Sequence, residues 1–179
     1  MQNNLGLVGI LSIHDRYLQA HKDNGEMHGS NSSRNEEETW FLLELDKGNH
    51  IYALQNWDNH QFLSKKPSGC LRADVDAIGG TEQCTLVASE PYGTAGRVAI
   101  RWPDGTFMGT NDPGDDDNEC HGEVTARSGA APPKGSDGWP GWWRFVAADT
   151  PEPGRNFWNA AGSVLVSVAI SELTAALLA

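Results

Sequence analysis

Positive charge is what this chain most lacks. Its 179 residues carry 13 Lys and Arg against 24 Asp and Glu, a formal net charge of −11 at pH 7. A protein that grips a phosphate backbone gains affinity by releasing counterions through clustered cations, and no such cluster stands in the sequence. Nucleic acid is therefore excluded as a partner. Cysteine is scarce too: Cys70, Cys84 and Cys120 form an odd set without a Cys-x-x-Cys spacing, so disulfides are not required for the fold. Catalytic signatures are missing as well. There is no Gly-x-Ser-x-Gly elbow, phosphate loop, His-Glu-x-x-His or Rossmann glycine pattern. The adjacent acids Glu36, Glu37 and Glu38 lack the flanking geometry that glycosidic cleavage needs. No enzyme and no cofactor are expected. The start, Met1-Gln2-Asn3-Asn4, has no positive n-region or cleavage site, which sets a cytoplasmic, reducing location as the expectation.

What is present is a repeat. Arg16-Tyr17-Leu18, Gln61-Phe62-Leu63 and Thr106-Phe107-Met108 place an aromatic before an aliphatic at an interval of 45 residues. One copied unit cannot bury its apolar face alone, so three copies must share a core. Before each motif runs an apolar alternation, Val8-Gly9-Ile10, Tyr52-Ala53-Leu54 and Val98-Ala99-Ile100, the pattern of a strand with one face buried. Polar turns follow, at His14-Asp15, at 56–60 and at Pro103-Asp104-Gly105, so each copy opens as a hairpin. Each copy closes on a strand that puts Trp40, Cys84 and Trp143 in register, with Leu42, Leu86 and Phe145 two residues later on the same face. Cys84, standing where the other copies have Trp, reads as a buried apolar side chain.

From aromatic to closing residue the first two copies span 23 and 22 residues and the third spans 36. The extra length falls within 112–141, in a long loop rich in Gly, Pro, Ala and Ser. Four short strands in each of three copies, with almost no helix signal before residue 155, specify an all-β domain that closes into a barrel. The 39% hydrophobic content, with 7 Trp, 5 Phe and 3 Tyr, suffices for its core.

The Tyr-Leu and Phe-Leu hairpins, the stretch Gly69-Cys70-Leu71-Arg72-Ala73-Asp74 and the closing strand Glu38-Thr39-Trp40-Phe41 resemble a β-trefoil, specifically a fascin-like one, over roughly residues 5–148. The resemblance implies a β-trefoil of three pseudo-repeats over 1–150; beyond it the residues themselves read as a Pro/Gly linker and an apolar extension over 151–179, of strand or helix period in its first half and helical in its second. The resemblance also implies a non-enzymatic binding or scaffold module resembling fascin-like actin-binding and crosslinking proteins. Two features bear on that implication. Crosslinking needs two separated faces, and acidic actin filaments would repel a chain of this charge unless Lys65-Lys66 with Arg72, or Arg97 with Arg101, formed a local basic patch.

The alternative is a carbohydrate-binding lectin. Trp57 and Trp102 each stand five residues before the repeated aromatic, beside Asp58 and Asn59 in one copy and Asp104 in the other. A pyranose face stacks on indole while carboxylate and amide bond its hydroxyls. The competing reading has both indoles simply covering apolar barrel surface. No metal site is expected: the acidic run 112–119 lacks the EF-hand order, and Cys120-His121 would leave zinc mostly open. His21 and His28, in the first unit where Gly25 marks a turn, could face each other across a hairpin as readily as serve a reaction, and surface histidines are the default.

Residues 160–179 contain one charge, Glu172. As a helix this segment barely spans a bilayer and is broken by that charge, so packing against the domain, or a homo-oligomer through 160–179, is expected ahead of membrane insertion.

Overall fold

The structure, a computed structural model, describes residues 3–88, 96–110, 124–127 and 139–148. Twelve strands run through them: β1 (Asn3–Ser12), β2 (Tyr17–Ala20), β3 (Met27–Asn31), β4 (Thr39–Asp46), β5 (Ile51–Asn56), β6 (Phe62–Lys65), β7 (Leu71–Val75), β8 (Cys84–Ala88), β9 (Val98–Arg101), β10 (Phe107–Thr110), β11 (Val124–Arg127) and β12 (Trp142–Ala147). No helix occurs among the described residues. The second strand of each copy begins on the repeated aromatic.

Six strands close on themselves. β1 pairs β4, β4 pairs β5, β5 pairs β8, β8 pairs β9, β9 pairs β12 and β12 returns to β1, every pair antiparallel. The remaining six form the hairpins β2–β3, β6–β7 and β10–β11. Each barrel strand sends two residues inward at the pleat spacing: Val8 and Ile10, Trp40 and Leu42, Tyr52 and Leu54, Cys84 and Leu86, Val98 and Ile100, Trp143 and Phe145. Leu18, Leu63 and Met108, the aliphatics of the repeated motif, join the same core from the hairpins. The three copies thus share one interior.

The repeated aromatics pack on the outside of the barrel wall. Between the inward pair of each opening strand stands a small residue, and the aromatic lies over it. A Cβ at Gly9 would come within 2.8 Å of the Tyr17 ring, Phe62 clusters with Ala53 and Phe107 with Ala99. The motif therefore fills two layers at once.

Backbone bonds repeat at the same positions. Ala20, Lys65 and Thr110 each stand three residues after the aromatic, and their amides donate to the carbonyls of Glu37, Thr81 and Pro140 at 3.1, 3.0 and 3.2 Å. Those acceptors each stand three residues before Trp40, Cys84 and Trp143. The Trp40 and Trp143 indoles donate to the carbonyls of Leu18 and Met108 at 2.9 and 3.1 Å, so each buried N–H meets a hairpin carbonyl. Cys84, which cannot reach so far, turns its thiol to the Tyr52 carbonyl at 3.6 Å. It is buried and free, and burial pushes the thiol up to about 12.

Between hairpins, the Ala73 amide donates to the Gly25 carbonyl and the Ala126 amide to the Gly69 carbonyl, both at 2.8 Å. Gly25 takes φ 67° and a Cβ there would lie 2.4 Å from the Ala73 oxygen, so only glycine fits. His21 and His28 do face each other, ring centroids 6.3 Å apart. Cys70 is disulfide-bonded, a bond that the odd cysteine count did not announce. The acidic loop, Cys120-His121 and the apolar segment 160–179 lie outside the described residues, as does the whole of the proposed 151–179 extension.

Candidate functional site

The hairpin turns carry the candidate residues, and their geometry follows from one local rule. The residue two before each repeated aromatic takes the left-handed conformation: Asp15 at φ 54°, His60 at 58° and Gly105 at 88°. Asp and His tolerate that region better than most residues, and Gly does so freely. Each turn is closed by a backbone bond, from the Ser12 amide to Arg16, from Asn56 to Gln61 and from Trp102 to Thr106, all at 2.9 Å. The middle turn is one residue longer than the others.

That extra residue separates two tryptophans that are equal by count. The partner of Trp102 in space is Asn56, not Trp57. Asn56 is fully buried and donates its amide to the Glu37 carbonyl at 2.8 Å, as the Trp102 indole donates to Thr81 at 3.1 Å, and Glu37 and Thr81 are the equivalent acceptors named above. Trp102 is 3% exposed. Trp57 is half-buried against Phe41, ring centroids 5.2 Å apart. Asn59 is occupied with the turn itself, its amide donating to the Ala73 carbonyl at 3.1 Å and its oxygen accepting from the Gln61 amide at 2.9 Å. The Asp58 amide donates to the Asn56 side chain at 3.1 Å, and its carboxyl is half-buried.

Trp102 and Asp104 line a cavity of about 190 Å³ at the junction of the second and third copies. Pro103 stands between them on the wall. The start of the β6–β7 turn adds Lys65, Lys66 and Pro67, and the β7–β8 connection adds Gly80 and Thr81. Trp57, Asp58 and Asn59 are not part of it. The volume lies below the roughly 300–1,000 Å³ of drug-sized sites, so it suits one small ring. Its lining combines Pro67, Pro103 and the buried Trp102 with the charged residues Lys65, Lys66 and Asp104.

Those charges are paired. The Lys65 ammonium donates to Asp104, and Lys66 donates to Asp74 at 2.7 Å. The Asp104 carboxylate also accepts from the Thr106 amide at 3.0 Å and the Thr106 hydroxyl at 2.7 Å. Lys65 first and Thr106 second hold its carboxyl down to about 2. Arg72, the third cation of the basic patch read from the sequence, pairs with Glu26 at 3.3 Å, and Arg101 lies over the Phe107 ring, 5.8 Å from its centroid. Lys65 and Lys66 were legible only as loose charges, because their place on the cavity depends on strand pairing; the one hint is that Lys65 stands three residues after the aromatic, where Ala20 and Thr110 stand in the other copies. Among the described residues no group of three or more His, Cys, Asp or Glu could hold a metal.

No protein-family model matches the chain, and no curated protein matches it by sequence. Solved structures do match. ThreeFoil, a designed three-fold symmetric protein, superposes with a TM-score of 0.61 at 16% identity over 80% of this chain and 99% of its own. The fold is a β-trefoil. SeviL, solved bound to an asialo-GM1 saccharide, matches with a TM-score of 0.58 at 11% identity, over 80% of this chain and 98% of its own. The Polyporus squamosus lectin, solved bound to a human-type influenza-binding epitope that contains Neu5Ac, matches at 0.60 and 12% identity, over 79% of this chain and 49% of its own. At such identities these trefoils share the architecture, and their sites stay their own.

Proposed function

We propose that this trefoil is a non-enzymatic glycan-binding module, with its site in the cavity between the second and third copies. The observation that carries the proposal is the cavity's composition: the apolar residues Pro67, Pro103 and Trp102 beside the paired Lys65 and Asp104. A sugar ring has an apolar C–H face and a rim of hydroxyls that both donate and accept, and it needs that mixture. Two structurally similar trefoils solved with saccharides support the same reading.

The fascin-like, actin-binding reading draws less support. The first of its two basic patches needs free cations, whereas Lys65, Lys66 and Arg72 each hold a carboxylate; in the second, Arg101 lies over the Phe107 ring. A glycan array probed with the whole chain tests the proposal. Wild type should retain at least one glycan class, and Asp104→Ala should weaken it by about tenfold, the loss of one charge-assisted hydrogen bond. Actin cosedimentation together with an empty array would contradict the proposal and restore the actin reading. Retention that survives Asp104→Ala but not Trp57→Ala would move the site to the preceding turn.

A further inference from the structure

The cavity's charge balance says which glycans it admits. Lys65, Lys66 and Asp104 line it; Lys65 pairs with Asp104, and Lys66 pairs with Asp74, which stands beyond the lining, so both ammonium groups are already neutralised in a chain of net charge −11. An acidic sugar entering the cavity would have to displace a carboxylate from its ammonium or lie beside it unpaired. Asp104 is not free to swing away, since Thr106 holds it through both backbone and side chain at 3.0 and 2.7 Å. Asp74 is held in turn by the Ser64 hydroxyl at 3.2 Å.

Uncharged hydroxyls face no such conflict. Each ammonium has protons to spare beyond its one carboxylate, each carboxylate has lone pairs to spare, and a hydroxyl can bridge the two without adding charge. Lys65 is not repeated in the other copies: the equivalent positions are Ala20 and Thr110.

Resting on the glycan reading above, we infer that Asp74 and Asp104 act as a charge filter, so that the cavity selects uncharged saccharides against carboxylated or sulfated ones. Both acidic groups present the same chemistry, a compact anion, and the test keeps them apart.

One glycan core is immobilised in three forms, unmodified, capped with a sialic acid, and sulfated, and the whole chain is passed over each at low and high salt. Wild type should bind the unmodified form at least fivefold more tightly than either acidic form, with little change between the salt conditions. Asp104→Asn, which removes the carboxylate paired with Lys65, should shift the ratio toward both acidic forms by about fivefold, the worth of one charge pair near the surface. High salt should erase that gain. Wild-type preference for either acidic form overturns the filter while leaving glycan binding intact, as does an Asp104→Asn variant whose ratio is unchanged. Binding to none of the three, nor to any glycan of the array, overturns the filter and the glycan reading together. Should Asp104→Asn fail to fold by circular dichroism, the wild-type ratio and its salt dependence decide the matter alone.

Discussion

Trp143 shows how single side chains carry this architecture. It fills the barrel with no exposure and spends its one polar atom on the Met108 carbonyl, so packing and hydrogen bonding point to the same place. Trp143→Phe should cost on the order of 2 kcal/mol, part cavity and part the stranded carbonyl, read as a lower urea midpoint with an unchanged slope. Asp104 makes a second prediction. Its folded value lies below the ordinary 3.8, at about 2, so its ion pair stabilises the fold above that ordinary value and is lost as pH falls through about 2. Carboxyl NMR should find its midpoint near 2; a midpoint near 3.8 would mean that Lys65 does not hold it. The cysteines make a third. Cys84, buried with its thiol pushed up to about 12, should resist iodoacetamide at pH 8 in the native protein, because the thiolate is the reactive form. Cys70, disulfide-bonded in the structure, should label in fresh extract only after reduction, the behaviour of an oxidising compartment rather than of the cytosol; labelling without reductant would contradict the bond and fit the cytoplasmic location expected from the sequence.

At the scale of elements, the tight points are the inter-hairpin contacts and the turns. Gly25→Ala places a methyl against the Ala73 carbonyl at a backbone angle that side chains rarely adopt, and should destabilise by about 2 kcal/mol or more in thermal melts. Gly80→Ala, where a Cβ meets nothing within 4 Å, is the control and should change the melting temperature by no more than about 2 °C. Much of this level was legible in the sequence. The aromatic-aliphatic motif marks the start of β2, β6 and β10 because the pleat sends its two side chains to opposite faces, one over Gly9, Ala53 or Ala99 and the other into the core. What counting along the chain could not reveal is the single extra residue in the middle turn, which puts Asn56 rather than Trp57 in the place of Trp102. A one-residue change in a turn leaves strand periodicity intact while redirecting every side chain in the turn. The cavity was illegible for a related reason: Lys65, Thr81 and Asp104 come together only when the barrel closes.

For the whole molecule, the threefold arrangement supplies one core and three junctions that differ in chemistry. The described core runs from Val8 in β1 to Phe145 in β12, and β12 returns to β1. A chain ending at Gly154 should therefore unfold in one cooperative transition with a melting temperature close to that of the full chain. A broad or strongly lowered transition would mean that 155–179 belongs to the fold, and light scattering on the two forms would show whether that segment also drives self-association. Symmetry in the backbone does not extend to the side chains: Lys65 on the cavity between the second and third copies has Ala20 and Thr110 as its equivalents.

The most direct measurement is a nitrogen-15 NMR titration of the whole chain with the unmodified glycan that the array selects. Glycan binding in the junction predicts saturable shifts in the Gly80 and Thr81 amides and the Trp102 indole N–H, with the turn around Trp57 unmoved. Shifts confined to residues 57–59, or none at concentrations where the array shows binding, would contradict it.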